Sequence, residues 1–124
     1  MEHGGDSLGI FSIAFQDAQH GAIAGGDYKH PQKAGVNLAF TENGGVSWSS
    51  ARLATPFFLS TLALGSKRRL LVAGATHTAY AADWSKPVWS REWSLGLNAV
   101  RFNSEGTALG VGASGEIVRF TDFP

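Results

Sequence analysis

Three segments of this sequence align with one another without a gap over 17 residues, and this repeat limits the possible folds more than any other feature. The segments are residues 11–27, 60–76 and 98–114, and their first residues are separated by 49 and 38 positions. Each segment begins with alternating apolar residues, continues through a polar turn and ends in a second apolar stretch. The pattern predicts a hairpin of two β-strands in each copy, and this spacing suits the blades of a β-propeller.

Glycine closes the second strand of the repeat, at Gly25, Gly74 and Gly112. A glycine at a fixed repeat position indicates either a positive φ or the close approach of another part of the backbone. The rest of each period predicts the outer strands, at residues 36–41 and 46–49, 77–83 and 88–93, and 116–120. No segment has a sustained helical periodicity with capping residues, so we predict almost no helix.

These elements predict an all-β fold, namely a partial β-propeller of about three four-stranded antiparallel blades. The blades span approximately residues 7–50, 57–93 and 97–124 of a single partial propeller domain at 1–124, and the last blade is incomplete. Blades without neighbours present apolar surface or unpaired backbone groups. We therefore expect an open arc that is marginally stable, associates or aggregates in solution.

Composition argues against several classes of function. Lys plus Arg and Asp plus Glu number 10 each, so the chain lacks the basic excess of a nucleic-acid binder, and we read Lys67, Arg68 and Arg69 as a polar turn. The sequence has no cysteine, which excludes disulfides and thiol catalysis. No apolar run is long enough for a membrane span, and residues 1–6 lack the features of a signal peptide. The sequence does not indicate the cellular compartment. Export of a longer protein to the periplasm or the cell exterior is one alternative.

Residues 41–48 read Thr-Glu-Asn-Gly-Gly-Val-Ser-Trp and resemble the Asp-box, Ser/Thr-x-Asp-x-Gly-x-x-Trp. Thr41, Gly45 and Trp48 fit the pattern, and Asn43 stands where the pattern has Asp. An Asn side chain can accept backbone hydrogen bonds within a turn, glycine allows an unusual φ, and tryptophan packs beneath the hairpin. We therefore assign these four residues a structural role, with Asn43 expected to bind N–H groups of residues 41–45.

Together with this motif, the segments at residues 9–15, 25–28 and 115–120 make the chain resemble the photosystem II stability/assembly factor-like propellers. Bacterial members of that group are often labelled oxidoreductase or BNR-repeat glycosyl hydrolase. The resemblance implies about seven blades in a complete propeller. This chain would then be the C-terminal part of a longer protein, and its partners would include the missing N-terminal blades.

The polar loop after the second predicted strand is the best candidate for a binding loop. Asp27, Tyr28, Lys29 and His30 lie there, where the loops of neighbouring blades gather on one face. The alternative interpretation is local: Asp27 forms a turn and Tyr28 packs against it.

Arg101 falls inside an inner strand, where the aligned segments have Ala14 and Ala63. An arginine that lines the central channel can bind a carboxylate, in bidentate geometry where space allows. It can equally pair with an acidic residue of a missing blade, and the sequence leaves both alternatives open.

A non-catalytic scaffold for protein binding or complex assembly is the leading functional prediction, with an unidentified protein partner. A sialidase-like glycosidase needs an arginine triad, a Tyr/Glu pair and an acidic residue, and no such set is evident here. No dinucleotide fingerprint is present, so we predict no catalytic residue and no cofactor. The alternative is a BNR-repeat glycosidase or other enzyme whose active-site residues lie in missing blades. We predict no metal site, because no paired spacing joins the four histidines, His3, His20, His30 and His77.

Overall fold

The computed structural model describes residues 8–27, 29, 37–50, 57–86, 88–103 and 105–121. Their strands form three antiparallel sheets of four, four and three strands, in which every strand pairs with the next one along the chain. Blade 1 contains β1 (Leu8–Phe15), β2 (Gly21–Asp27), β3 (Leu38–Thr41) and β4 (Ser49–Ser50). Blade 2 contains β5 (Thr61–Gly65), β6 (Arg69–Ala73), β7 (Thr78–Ala81) and β8 (Arg91–Trp93). Blade 3 contains β9 (Ala99–Phe102), β10 (Ala108–Val111) and β11 (Ile117–Phe120).

This architecture confirms the predicted fold class, a partial β-propeller with an incomplete last blade. The described residues include no α-helix, and their helical turns are short 3₁₀ turns at Ser66–Arg68 and Ala113–Gly115. The outer strands are shorter than predicted. Blade 1 ends in β4 at Ser49–Ser50 rather than at 46–49, because residues 42–48 form the turn that precedes it.

Strand register separates each blade into two faces, because successive side chains of a strand point to opposite sides. On one face of blade 1, Ala22 lies between Ala14 and Phe40. The matching row of blade 2 is Ala63–Leu71–Tyr80, and that of blade 3 is Arg101–Leu109–Arg119. We call the face that carries these rows the trailing face, and the opposite side of each blade the leading face.

Two apolar clusters hold the three sheets together. The first joins the trailing face of blade 1 to the leading face of blade 2, through Ala24, Leu38 and Phe40 on one side and Leu62 and Val72 on the other. The second cluster joins the trailing face of blade 2 to the leading face of blade 3. It contains Leu71, Tyr80, Val100, Ala108 and Phe120. Each blade therefore stabilises its neighbours by burying apolar area between sheets.

Backbone hydrogen bonds cross both junctions at the repeated glycines. The N–H of Leu59 donates to the carbonyl of Gly25 at 3.0 Å, and the N–H of Leu97 donates to that of Gly74 at 3.1 Å. A Cβ atom at Gly25 would lie 2.0 Å from the carbonyl oxygen of Gly9, and one at Gly74 would lie 1.9 Å from that of Phe58. Close backbone approach, rather than positive φ, therefore requires glycine at these two positions.

A side-chain hydroxyl also crosses each junction at equivalent positions of the inner strands. The N–H of Leu62 donates to Ser12 Oγ at 3.2 Å, and the N–H of Val100 donates to Thr61 Oγ1 at 3.2 Å. The corresponding residue of blade 3 is Ala99, which has no hydroxyl. The two junctions are thus built on one pattern of hydrogen bonds and apolar contacts.

Candidate binding groove

The inner strand of each blade lies beside that of the next, with β5 adjacent to both β1 and β9. Together they line a groove of about 230 Å³, which we call the channel groove. Its lining consists of Ser12, Ile13, Ala14, Phe15, Thr61, Leu62, Ala63, Leu64, Ala99, Val100, Arg101 and Phe102. Most of the lining residues are apolar, but the accessible surface of the groove is mainly polar, and one of its side chains is charged.

Arg101 is that charged side chain. It lies in the middle of β9, is exposed, and occupies the repeat position of Ala14 and Ala63. No acidic residue is found among the groove lining that the structure describes, so no carboxylate within the groove neutralises the guanidinium. A planar guanidinium with five donors suits a carboxylate that enters the groove from outside.

The structure describes two residues of the predicted binding loop, Asp27 and Lys29. Asp27 ends β2, and its carboxylate accepts a hydrogen bond of 3.1 Å from the backbone N–H of Lys29. Tyr28 and His30 lie outside the described residues. Neither Asp27 nor Lys29, the two described residues among the four, lines the channel groove.

The turn at residues 41–48 is closed by side chains. Asn43 Oδ1 accepts the N–H of Ser47 at 3.0 Å and the hydroxyl of Thr41 at 2.9 Å. Thr41 Oγ1 in turn accepts the N–H of Gly45 at 2.9 Å, and Gly45 has a φ of 95°. In place of the predicted bonds to N–H groups of residues 41–45, Asn43 Oδ1 accepts the N–H of Ser47, and the N–H groups of Asn43 and Gly45 donate to Thr41 Oγ1 at 3.4 and 2.9 Å.

Trp48 follows this turn and is partly buried. Its ring packs edge-on against Phe15 of the same blade, with the ring centroids 6.3 Å apart. Trp48 also lines a groove of about 430 Å³ on the leading face of blade 1, together with Ile13 and Ile23. One side of the indole therefore packs within its own blade, and the other side faces the groove on the leading face of blade 1.

A second cleft, which sequence analysis missed, lies where the turns of blades 1 and 2 meet. It has a volume of about 230 Å³ and is lined by Gln16, Asp17, His20, Glu42, Arg68, Trp84 and Ser85. The guanidinium of Arg68 lies 5.8 Å from the centroid of the Trp84 ring, and this ring also stacks on Phe40, with the centroids 4.4 Å apart. The residues of this cleft come from turns that are far apart in the sequence. The spacing of Asp17 and His20 within one turn is the sequence signal that indicates part of it.

Hydrogen bonds fix the charge of two carboxylates near this cleft. The N–H groups of His20 and Gln19 donate to Asp17, and these bonds, helped by the His20 side chain, lower the pKa of Asp17 below its ordinary value. The hydroxyl and N–H of Ser85 donate to Asp83 and lower its pKa in the same way. Both groups are therefore anionic acceptors that hold their turns closed at neutral pH.

The described part of the chain contains no cluster of three or more His, Cys, Asp or Glu side chains that could hold a metal ion. Among the same residues no helix has the length and apolar character needed to cross a membrane.

Sheet order, register and the repeated junctions define the class of this chain: it is part of a β-propeller. A similar solved structure is that of YCF48 bound to D1 peptide, with a TM-score of 0.68 and 18% sequence identity. The match covers 91% of this chain and 37% of that chain, and at this identity it supports the fold alone. No family model matches the sequence. The search of curated proteins found no match.

Proposed function

We propose that this chain is a non-catalytic β-propeller module that binds a segment of another protein in the channel groove. The observation that carries the proposal is Arg101, an exposed cation within a groove whose described lining has no acidic residue. A peptide carboxylate, at a C-terminus or on an acidic side chain, is the group that matches this cation. Apolar neighbours of Arg101 would pack against the adjoining residues of the peptide.

Two further features belong to the proposal. The loop with Asp27, Tyr28, Lys29 and His30 is a secondary contact for the same partner. The turn with Thr41, Asn43, Gly45 and Trp48 is an Asp-box whose role is structural. Support for a peptide ligand comes from YCF48, a similarly folded protein whose structure is described as bound to D1 peptide.

Fluorescence anisotropy with a labelled mixed-sequence peptide pool tests the proposal. The wild-type chain should bind the pool with a free C-terminal carboxylate more tightly than the same pool with amidated C-termini. Arg101→Gln should weaken binding of the free-carboxylate pool by about tenfold, because a charge-assisted hydrogen bond is lost. Arg101→Lys should retain part of the affinity, since a lysine keeps the charge without the planar fork.

Arg91→Gln is the matched control, because Arg91 is exposed on blade 2 and its guanidinium lies over the Trp93 ring at 5.6 Å, away from the groove. This variant should bind both peptide pools as the wild type does. Equal binding of the two pools by the wild type, or equal losses in the Arg101 and Arg91 variants, would contradict a carboxylate site at Arg101.

A further inference from the structure

The cleft between the turns of blades 1 and 2 carries opposite charges on its two walls. Blade 1 contributes the carboxylates of Asp17 and Glu42, and blade 2 contributes the guanidinium of Arg68. The cleft has a volume of about 230 Å³, which is below the range of pockets for drug-sized ligands. Its size and its charges therefore suit a small ligand that carries both a positive and a negative group.

On the blade 1 wall, Glu42 is the carboxylate that is free to bind a ligand. The oxygens of Asp17 accept the N–H groups of Gln19 and His20 at 2.8 and 2.7 Å, and His20 Nδ1 lies 3.0 Å from each of them. Glu42 is exposed, and its carboxylate makes no hydrogen bond or ion pair with the residues that the structure describes. A cationic group in the cleft would therefore bind at Glu42.

On the blade 2 wall, contacts within the blade hold Arg68 in place. Its carbonyl accepts the N–H of Trp84 at 2.9 Å, and its guanidinium donates to Ser85 Oγ at 3.3 Å. Lys67 and Arg68 both have positive φ, a strained conformation that persists only where the surrounding contacts fix it. The single bond to Ser85 leaves the other donors of the guanidinium for an anionic group.

Trp84 contributes a further donor on the same wall. Its Nε1 atom is buried and has no hydrogen-bond partner in the described part of the chain. A buried donor without an acceptor is unfavourable, so binding of a ligand that supplies an acceptor is favoured. The Arg68 guanidinium lies 5.8 Å from the centroid of the Trp84 ring. A ligand carboxylate between these two side chains would accept hydrogen bonds from both.

We propose that this cleft binds a free α-amino acid in its zwitterionic form. The α-carboxylate binds Arg68 and Trp84 Nε1, and the α-ammonium group binds Glu42. A zwitterion pairs with both walls at once, whereas a simple anion or cation leaves one of them unpaired. Gln16 and Ser85 complete the lining and favour a small, polar side chain. The cleft shares no lining residue with the channel groove, so this site and the peptide site at Arg101 are tested independently.

NMR titration of the ¹⁵N-labelled chain with L-serine, to about 10 mM, tests the proposal. The chain has four tryptophans, each with its own indole N–H signal, and the signal of Trp84 is the one missing from Trp84→Phe. This signal should move downfield and saturate, because Nε1 gains an acceptor. The indole signals of Trp48, Trp89 and Trp93 should not move, since none of the three lines the cleft.

Two analogues separate the charges of the ligand. N-acetyl-L-serine keeps the carboxylate without the ammonium group, and L-serinamide keeps the ammonium group without the carboxylate. Each should bind at least about tenfold more weakly than L-serine, because one wall of the cleft is left unpaired. The analogues also represent the two termini of a polypeptide, so they distinguish a free amino acid from the end of a protein chain.

Two variants separate the walls of the cleft. Arg68→Asn removes the cation and keeps a residue type that tolerates positive φ, and Glu42→Gln removes the anion. Each should raise the Kd for L-serine at least about tenfold. Lys67→Asn is the matched control for the first, because Lys67 has a φ of 58° in the same turn but does not line the cleft. Glu92→Gln, an exposed acid of β8, is the control for the second. Both controls should bind L-serine as the wild type does.

A Trp84 indole signal that does not respond to L-serine would overturn the proposal. Binding of either analogue as tight as that of L-serine would also overturn it, because one charge would then be sufficient. Equal losses of affinity in Arg68→Asn and Lys67→Asn would assign the effect to the turn rather than to the guanidinium, and would contradict a carboxylate contact at Arg68.

Discussion

At the scale of single residues, short Asp and Asn side chains close most of the turns at one end of the blades. Asp17, Asn43, Asp83 and Asn103 each accept a backbone N–H from two to four residues further along the chain. A backbone N–H in a turn lacks the carbonyl partner that it would have in a strand or a helix, and the oxygen of such a side chain accepts its hydrogen bond instead. The turn between β5 and β6 is different, because there Lys67 and Arg68 adopt positive φ values of 58° and 64°.

Acid should open the turn at Asp17. Because its folded pKa lies below the ordinary value of 3.8, the stability it contributes is present above that value and is lost as the pH falls through the folded pKa. As the pH is lowered from about 6 to about 2, the unfolding midpoint of Asp17→Asn should therefore fall less than that of the wild type. Glu105→Gln is the control, since no described residue donates a hydrogen bond to its carboxylate. Identical acid profiles for the wild type and Asp17→Asn would contradict this role.

Trp48 should contribute to stability, though less than a fully buried tryptophan. Trp48→Ala removes the contact with Phe15, but part of the indole already faces solvent. We expect a loss of about 2 kcal/mol in the free energy of unfolding, below the range for buried tryptophans. Urea unfolding measures it, with Val46→Ala as the control because Val46 is 86% exposed. A neutral Trp48→Ala variant would remove the structural role of this residue.

At the scale of elements, the inner strands act as the contact points between blades. Thr61 illustrates this, because it pairs with Ala73 within its own sheet and accepts the N–H of Val100 from the next one. Ser12 does the same for Leu62 one junction earlier. An inner strand therefore forms a ladder with one sheet and a side-chain link with another.

Thr61→Val should lower the free energy of unfolding by about 1–3 kcal/mol, because the N–H of Val100 loses its acceptor at a buried site. The substitution keeps shape and volume, so lost packing contributes little. Thr107→Val is the control, since its hydroxyl makes no hydrogen bond to the described residues. Equal stability of the two variants in urea unfolding would show that the link at Thr61 is not needed.

The repeat made most of the fold predictable, whereas contacts between turns were not. The alternation of apolar and polar residues around Ile13 and Val100 predicted the inner strands, since a period of two residues is typical of a half-buried strand. Alignment also identified Arg101, because it replaces alanine in both other copies. The cleft lined by Arg68 and Trp84 was not predicted, because it forms only when two blades pack. The predicted strand at residues 46–49 was displaced because side-chain hydrogen bonds of Thr41 and Asn43 lengthen the turn.

At the scale of the whole molecule, blade 2 is the best-packed unit, since it lies between the other two. Both of its faces are covered, and Leu70, Leu71, Val72 and Ala73 of β6 are fully buried. Blades 1 and 3 each have one face against a neighbour and one in solvent. In a linear array of this kind, stability is greatest at the centre and falls towards the ends.

Hydrogen exchange of the dilute chain should follow this order. Amides of Leu71 and Val72 should exchange at least about tenfold more slowly than those of β1 and β11, because the terminal blades can open without the central one. Native-state exchange at low concentration, read by NMR, measures each amide. Slower exchange at β1 or β11 than at β6 would contradict an array stabilised from its centre.

The turn of blade 1 has a consequence for the chemical ageing of the chain. Asn43 is followed by Gly44, and loss of the Asn side-chain amide requires the Gly44 nitrogen to attack the carbonyl carbon of that side chain. In the folded turn, the N–H of Gly44 donates to the carbonyl of Gln19 at 3.0 Å and the Asn43 amide donates to Ser47 at 2.7 Å. The reaction is therefore confined to molecules whose turn has opened. This attack expels ammonia and forms a succinimide, which water opens to aspartate or isoaspartate. The fraction of chains converted at residue 43 is therefore a permanent covalent record of how long the population has spent with that turn open.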